Sequence, residues 1–288
     1  METKQLKWIY LTILSLIWGS SFILIKKGLI GLSAVQVGSF RIIFAALFLL
    51  IVGFNSLKKI SRRQWKYVAI TSLFGTFIPA YLFAIAETQV NSSIVAILNS
   101  LTPLNTLILG IIAFGIQFQK RQVLGVFVGL VGCLLLVLSG DSASGTQNYL
   151  YVLLVVIATL SYAINVNLIK KYLHDLNSVS ITTGNFAVLL LPALIILSTT
   201  DISQKIHLAE TQHSILFVAI LGVLGTGIAN ILFFKLIQMS SPVFATSVTY
   251  LIPIVAFFWG LLDNEFLTPI QSVGAFIILI GVYLSAKK

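Results

Sequence analysis

Long apolar runs with almost no charge dominate this chain. Ten of them can be marked, at about 6–25, 34–54, 66–86, 92–115, 122–140, 149–169, 178–198, 214–234, 242–262 and 268–286. A helix crosses the hydrocarbon core of a bilayer with about 20 mostly apolar residues. Strands of a membrane barrel would instead alternate polar and apolar over about ten residues, and these runs do not. The expected fold is an all-α polytopic membrane protein with ten transmembrane helices, joined by short loops. Composition agrees: only 9% of the 288 residues are charged, against about 25% in a soluble domain. An ordinary soluble enzyme, a secreted disulfide scaffold and a disordered chain are excluded. Cys133 is the single cysteine. It forms no internal disulfide or cysteine metal centre and reads as a small hydrophobe.

Positive residues collect in cytoplasmic loops. With the N-terminus inside, the inner side holds Lys4, Lys7, Lys58, Lys59, Arg62, Arg63, Lys66, Lys120, Arg121, Lys170, Lys171, Lys235, Lys287 and Lys288. The outer side holds Lys26, Lys27 and Lys205, together with most of the acids: Glu87, Asp141, Asp201, Glu210, Asp263 and Glu265. Both termini are therefore expected in the cytoplasm of a cell whose inner membrane the chain crosses. The first segment is basic and then apolar, like a signal peptide. It lacks a clear small-residue cleavage site, so a retained first helix is expected. The net charge of +10 is assigned to topology and anionic lipid rather than to nucleic acid.

The two halves of the chain resemble each other. Val68-Ala69-Ile70, Gly75-Thr76, Ile78 and Leu82-Phe83 recur as Val218-Ala219-Ile220, Gly225-Thr226, Ile228 and Leu232-Phe233, all at an offset of 150. Pro103 and Gly110 match Pro253 and Gly260 at that same offset. Gln122, Gly125, Phe127 and Gly132 match Gln271, Gly274, Phe276 and Gly281 at offset 149, and Ile25-Lys26-Lys27 matches Ile169-Lys170-Lys171 at offset 144. The expected division is a first repeat over 1–143 and a second over 144–288. Each would hold five helices, an odd number, so the copies insert with opposite orientation. Inverted repeats are a common architecture of secondary transporters, with substrate held near midplane between the halves.

The motifs resemble those of the EamA-type permeases of the drug/metabolite transporter superfamily. Trp18-Gly19-Ser20-Ser21-Phe22 followed by Lys26 is similar to that family's opening. Arg41 with Ala45-Ala46 resembles its second helix, with Ile42 in place of Phe. Ala96, Leu101 and Pro103 resemble its fourth helix, and Gly125, Gly129 and Gly132 its fifth. In the second half Tyr162 stands where Trp18 stands and Asn185 where Arg41 stands. The resemblance spans the whole chain. It implies a secondary transporter working by alternating access on a small metabolite, an amino acid or related organic compound, with export as the expected direction. It also implies that the fifth and tenth helices support the periphery.

Several residues within spans are candidates for the substrate site. Arg41 lies about seven residues from the outer end of its helix, roughly 10 Å deep at 1.5 Å per residue. A guanidinium at depth must face a cavity or a partner. It is read either as an anchor for a substrate carboxylate or phosphate, or as a structural bond to carbonyls or Glu87, or as a side chain snorkelling outward. Pro103 and Pro253 are expected mid-helix at matching positions, freeing the carbonyls of Asn99 and Thr249. Asn99, Ser100, Thr102 and Asn105 flank one, and Thr246, Ser247, Thr249 and Tyr250 the other. The expected cavity lies between the third, fourth, eighth and ninth helices, with the first, second, sixth and seventh closing it. Trp18, Tyr81, Asn185 and Asn230 complete the candidate set, either as cavity lining or as packing and cross-helix bonds.

Catalytic equipment is not legible. His174, His207 and His213 fall in loops, and neither a His-Glu-x-x-His motif nor a phosphate-cradling loop is present. A polytopic enzyme or a non-transporting membrane subunit is the alternative reading. No cofactor or metal is expected. The partners are the lipid bilayer and a small-molecule substrate, with the chain a monomer or homodimer. Proton-coupled carriers bury an ionisable acid, and Glu87, at an outer span end, is the acid placed nearest to that role; facilitated diffusion, exchange or weak proton coupling is expected.

Overall fold

The computed structural model describes residues 3–90, 95, 98–138, 149–262 and 269–286. Ala96, Asp141, Asp263, Glu265, Lys287 and Lys288, which enter the reading above, lie outside the described residues. Among the described residues the chain is helical, with no strand. The principal helices are α1 (Thr3–Gly31), α2 (Ala34–Gly53), α3 (Arg62–Ala86), α4 (Thr102–Ile112), α5 (Lys120–Leu138), α6 (Tyr149–Tyr172), α7 (Ser178–Ser198), α8 (Ala209–Met239), α9 (Val248–Leu262) and α10 (Pro269–Ala286). A one-turn helix, Pro242–Thr246, precedes α9. Six helices, α1, α2, α3, α6, α7 and α8, are long and apolar enough to cross a membrane by length and composition, and shorter apolar stretches run at Thr102–Ile112, Pro242–Val255 and Ser272–Ser285.

Local sequence sets the helix starts. Ser33 caps α2 and Ser61 caps α3, each in a capping box with the glutamine three residues on, Gln36 and Gln64. The two side chains satisfy orphan backbone N–H groups reciprocally. Asn177 caps α7 by accepting from Ser180 N. The same glutamines then reach across the bundle. Gln36 Nε2 donates to Asp201 Oδ1 at 2.9 Å, and Gln64 Nε2 to Asp175 Oδ1 at 3.1 Å. At the exposed Asp201, Lys205 lies 2.6 Å away and holds the carboxyl below its ordinary range.

Pro103 departs from its expected mid-helix place. The backbone turns at residues 100–101, and Pro103 falls in the first turn of α4. A missing N–H costs nothing there, since that donor has no intrahelical acceptor anyway. The carbonyl of Asn99 is not left open: Thr102 Oγ1 donates to it at 2.7 Å. Pro253 does stand inside a helix, α9.

Two helices carry π-helical segments in their middles, Leu73–Phe77 in α3 and Leu221–Ile228 in α8. Both contain the Gly-Thr pair of the internal match, Gly75-Thr76 and Gly225-Thr226. Widened i→i+5 turns are rare and tend to occur at functional sites.

α5 and α10 pack chiefly on each other, to one side of the bundle. Small residues let their backbones meet. A Cβ built on Gly281 would stand 2.4 Å from Gly129 N, and one on Gly132 2.7 Å from Ile278 N. The outward face of α10 is apolar, with Phe276 65% exposed, as a lipid-facing surface should be. Gly281→Ala is expected to force the two backbones apart and cost about 1–3 kcal/mol, the range for overpacking. Phe276→Leu should be neutral. Thermal unfolding of the purified variants in detergent reads both.

Candidate functional site

The apolar bundle opens into one well-formed cavity of about 870 Å³, counted to its mouth. Its walls come from α1, α2, α3, α4, α6, α8 and α9, with Asn99 and Thr246 just before α4 and α9. α5, α7 and α10 contribute nothing to it among the described residues.

α1 supplies an aromatic wall. Trp18 points inward because its indole N–H has a partner there: Nε1 donates to Gly225 O at 2.9 Å. Gly225 lies in the π-helical segment of α8, where a widened turn takes a carbonyl off the regular ladder. The Trp18 ring meets Phe233 edge-on, with centroids 5.0 Å apart. Phe22, Phe83, Tyr162 and Phe233 extend the aromatic surface, with Phe83 and Tyr162 stacked at 5.9 Å.

α2 supplies the charge. Arg41 Nε donates to Thr226 Oγ1 at 2.7 Å, and Thr226 Oγ1 in turn donates to Leu221 O at 3.2 Å, five residues back along the π turn. The Arg41–Thr226 bond fixes the guanidinium by one edge. Its terminal amino groups have no protein partner among the described residues. No carboxylate lies within 4.0 Å of it; the ion pair found among the described residues is Lys205–Asp201. An ion pair to Glu87 is therefore absent among the described residues, and the guanidinium lines the cavity.

Uncharged polar groups complete the walls. Thr76 Oγ1 and Asn165 Oδ1 are buried without a hydrogen-bond partner among the described residues, and both belong to cavity-lining residues. An unmet buried acceptor or donor is costly unless something else satisfies it.

Of the residues expected at the site, Trp18, Arg41, Asn99, Thr102 and Asn230 line the cavity. Five stand elsewhere. Tyr81 packs α3 on α2, with its hydroxyl 2.9 Å from Ser39 Oγ and its ring edge-on to Phe77. Asn185 is fully buried between α7 and α3. Its amide nitrogen faces the carbonyls of Val68 at 3.0 Å and Ile181 at 3.2 Å, and Thr71 Oγ1 at 3.1 Å. Tyr250 is also fully buried; its hydroxyl donates to Val126 O at 2.9 Å, tying α9 to α5. Pro103 and Pro253 lie behind the wall, while their neighbours Thr102, Thr249 and Ile252 form it. Thr76, Thr226, Tyr162 and Phe233 are wall residues outside the expected set. The internal match pointed at three of them, since Thr76 pairs with Thr226 and Phe233 with Phe83.

Glu87 follows the last residue of α3 and stands one turn beyond Phe83, a wall residue on the same helix face. It is only 9% exposed, and neither carboxylate oxygen has a hydrogen-bond partner among the described residues. Burial raises its carboxyl above the ordinary range, and the charges of Lys26 and Arg41 act against that.

The sequence profile of the EamA-like transporter family matches this chain twice, over residues 6–138 and 149–287. Among curated relatives, an uncharacterised transporter of Archaeoglobus fulgidus is 24% identical over 98% of this chain and 99% of its own length. The inner membrane transporter YedA of Escherichia coli K12 is 27% identical over 94% of this chain and 87% of its own length. The S-adenosylmethionine/S-adenosylhomocysteine transporter of Chlamydia muridarum is 25% identical over 91% and 86%. A solved crystal structure superimposes with a TM-score of 0.75 at 13% identity, covering 96% of this chain and 94% of its own, and so shares the fold.

Trp18→Phe keeps a ring against Phe233 but removes the bond to Gly225 O. The expected loss is about 0.5–1.5 kcal/mol, the usual net worth of one hydrogen bond, read as a lowered unfolding temperature in detergent.

Proposed function

This chain belongs to the EamA-like transporter family, and from that premise we propose that it carries a small organic anion through the membrane by alternating access. The observation that carries the reading is Arg41, a cavity guanidinium held at one edge by Thr226 and free of any carboxylate within ion-pair distance. A planar fork with unspent donors suits a carboxylate or phosphate. The aromatic wall suits an apolar body attached to that anionic group, and Thr76 and Asn165 suit further polar atoms. An amino acid or related organic acid has these parts. The Chlamydia relative is named for S-adenosylmethionine and S-adenosylhomocysteine, each of which carries a carboxylate and an aromatic ring along with cationic groups.

The proposed architecture is ten spans in two inverted repeats, 1–143 and 144–288, with both termini cytoplasmic in the inner membrane. Three observations support it: the double family match, the offset identities, and π-helical segments at corresponding places in α3 and α8. The transport unit is proposed to be a monomer or homodimer. No catalytic role is proposed, and the solute should emerge chemically unchanged.

Two measurements test this. Proteoliposomes should exchange radiolabelled phenylalanine or benzoate, and Arg41→Ala should lower that flux about tenfold or more, the equivalent of one lost charge-assisted bond. Equal flux of benzamide and benzoate, or an unaffected Arg41→Ala, would overturn the anion reading; no flux of any organic acid would favour a non-transporting subunit. For topology, in a Cys133→Ser background, a cysteine at Lys27 should react in intact cells with a membrane-impermeant maleimide. One at Lys59 should react only after the membrane is opened.

A further inference from the structure

We propose that Glu87 is a proton-binding site whose affinity is set by the charge at Arg41, so that an anion entering the cavity takes up a proton with it. This rests on Arg41 being the anion's partner.

The placement of Glu87 is the starting point. A carboxylate that is 9% exposed, with both oxygens lacking a described hydrogen-bond partner, is poorly held in its charged form. No structural duty explains it: it closes no ion pair and caps no described group. It sits one helical turn from the cavity wall at Phe83.

The charged and titratable groups around it come from each neighbouring element. α1 brings Lys26, which is exposed, and α2 brings Arg41. α6 brings Tyr162, stacked on Phe83, and Tyr151, in the apolar cluster that includes Ala86 and Val90 beside Glu87. Tyr81, on α3 itself, is engaged with Ser39. Lys26 and Arg41 are the cations that favour the ionised carboxylate. When a bound anion neutralises Arg41, that part of the support is withdrawn, and the carboxylate gains proton affinity. By linkage, protonation of Glu87 strengthens anion binding by the same factor.

The charge balance favours this pairing. Where Glu87 is ionised, above its raised value of about 8, Arg41 and Glu87 of the empty site sum to zero, Lys26 being exposed and screened by solvent. Loaded with a monoanion alone, the site carries one net negative charge in a low-dielectric setting, which is costly. Loaded with the monoanion and a proton on a Glu87 oxygen, it returns to zero. Empty and loaded carriers then change shape with equal net charge. An inward proton gradient drives the anion inward through such a site, and net export requires an outward anion gradient steeper than the inward proton gradient.

The test needs no substrate. An infrared pH titration of the protein in phosphatidylcholine vesicles, wild type minus Glu87→Gln, isolates the protonated carboxyl band of Glu87. Arg41→Ala imitates the neutralised guanidinium and should raise the midpoint of that band by about one pH unit, a tenfold gain in proton affinity. Arg41→Gln serves in its place should the alanine variant fail to fold, because it keeps a donor for Thr226. Lys26→Ala should move the midpoint in the same direction. A midpoint unmoved by the Arg41 variants overturns the coupling, and the lack of any Glu87-dependent band overturns the proton site. Failure of the anion-carrier reading shows instead in the flux assay and leaves this titration unchanged.

Discussion

Hydrocarbon offers no water to a carbonyl, a hydroxyl or a guanidinium, so each must find its bond inside the protein. Most of the polar chemistry in this bundle follows from that. Serines and threonines turn their hydroxyls back on their own helices, as Ser21 does on Ile17 O and Thr182 on Ser178 O. Where α8 widens into a π-helical segment, the neighbouring helices supply the partners. Trp18 of α1 takes Gly225 O, and Arg41 of α2 takes Thr226 Oγ1. The strut that joins three helices is therefore also the cavity wall, and a change of shape at α8 must be felt at both Trp18 and Arg41.

The unequal treatment of charge follows the same constraint. Exposed cations crowd the loops, where water and lipid headgroups receive them. At depth the described spans hold Arg41, and it is bound by one edge with the rest of the fork turned to the cavity. Glu87 is close enough to sense it electrostatically and too far to pair with it. A buried pair locked together would be a structural cross-link.

Much of the fold was legible before any coordinates. Continuous apolar runs identified membrane helices, while the capping boxes that start α2 and α3 emerged only in the structure. The proline at 103 was legible as a breaker but not as a helix start, because a pattern of hydropathy does not say on which side of a break the next helix begins. Six helices satisfy the length and hydropathy of a span among the described residues. The shorter ones, such as α4, adjoin turns that interrupt what reads as one continuous apolar run.

The site was legible in part. Arg41 and Trp18 stand out in any reading, because a charge or an indole at depth needs a reason. Tyr250 and Tyr81 stand out equally in sequence, yet they pack helix on helix, against Val126 O and Ser39. Asn185 likewise spends its amide on α3. By itself the sequence determined that the chain is helical and membrane-embedded, that its halves match, and that one arginine lies at depth, because these follow from sums and periods along the chain. Only the tertiary structure decided which polar side chains share a cavity and which are consumed between helices. That depends on the rotation of each helix about its axis, which packing against its neighbours sets and no single segment encodes.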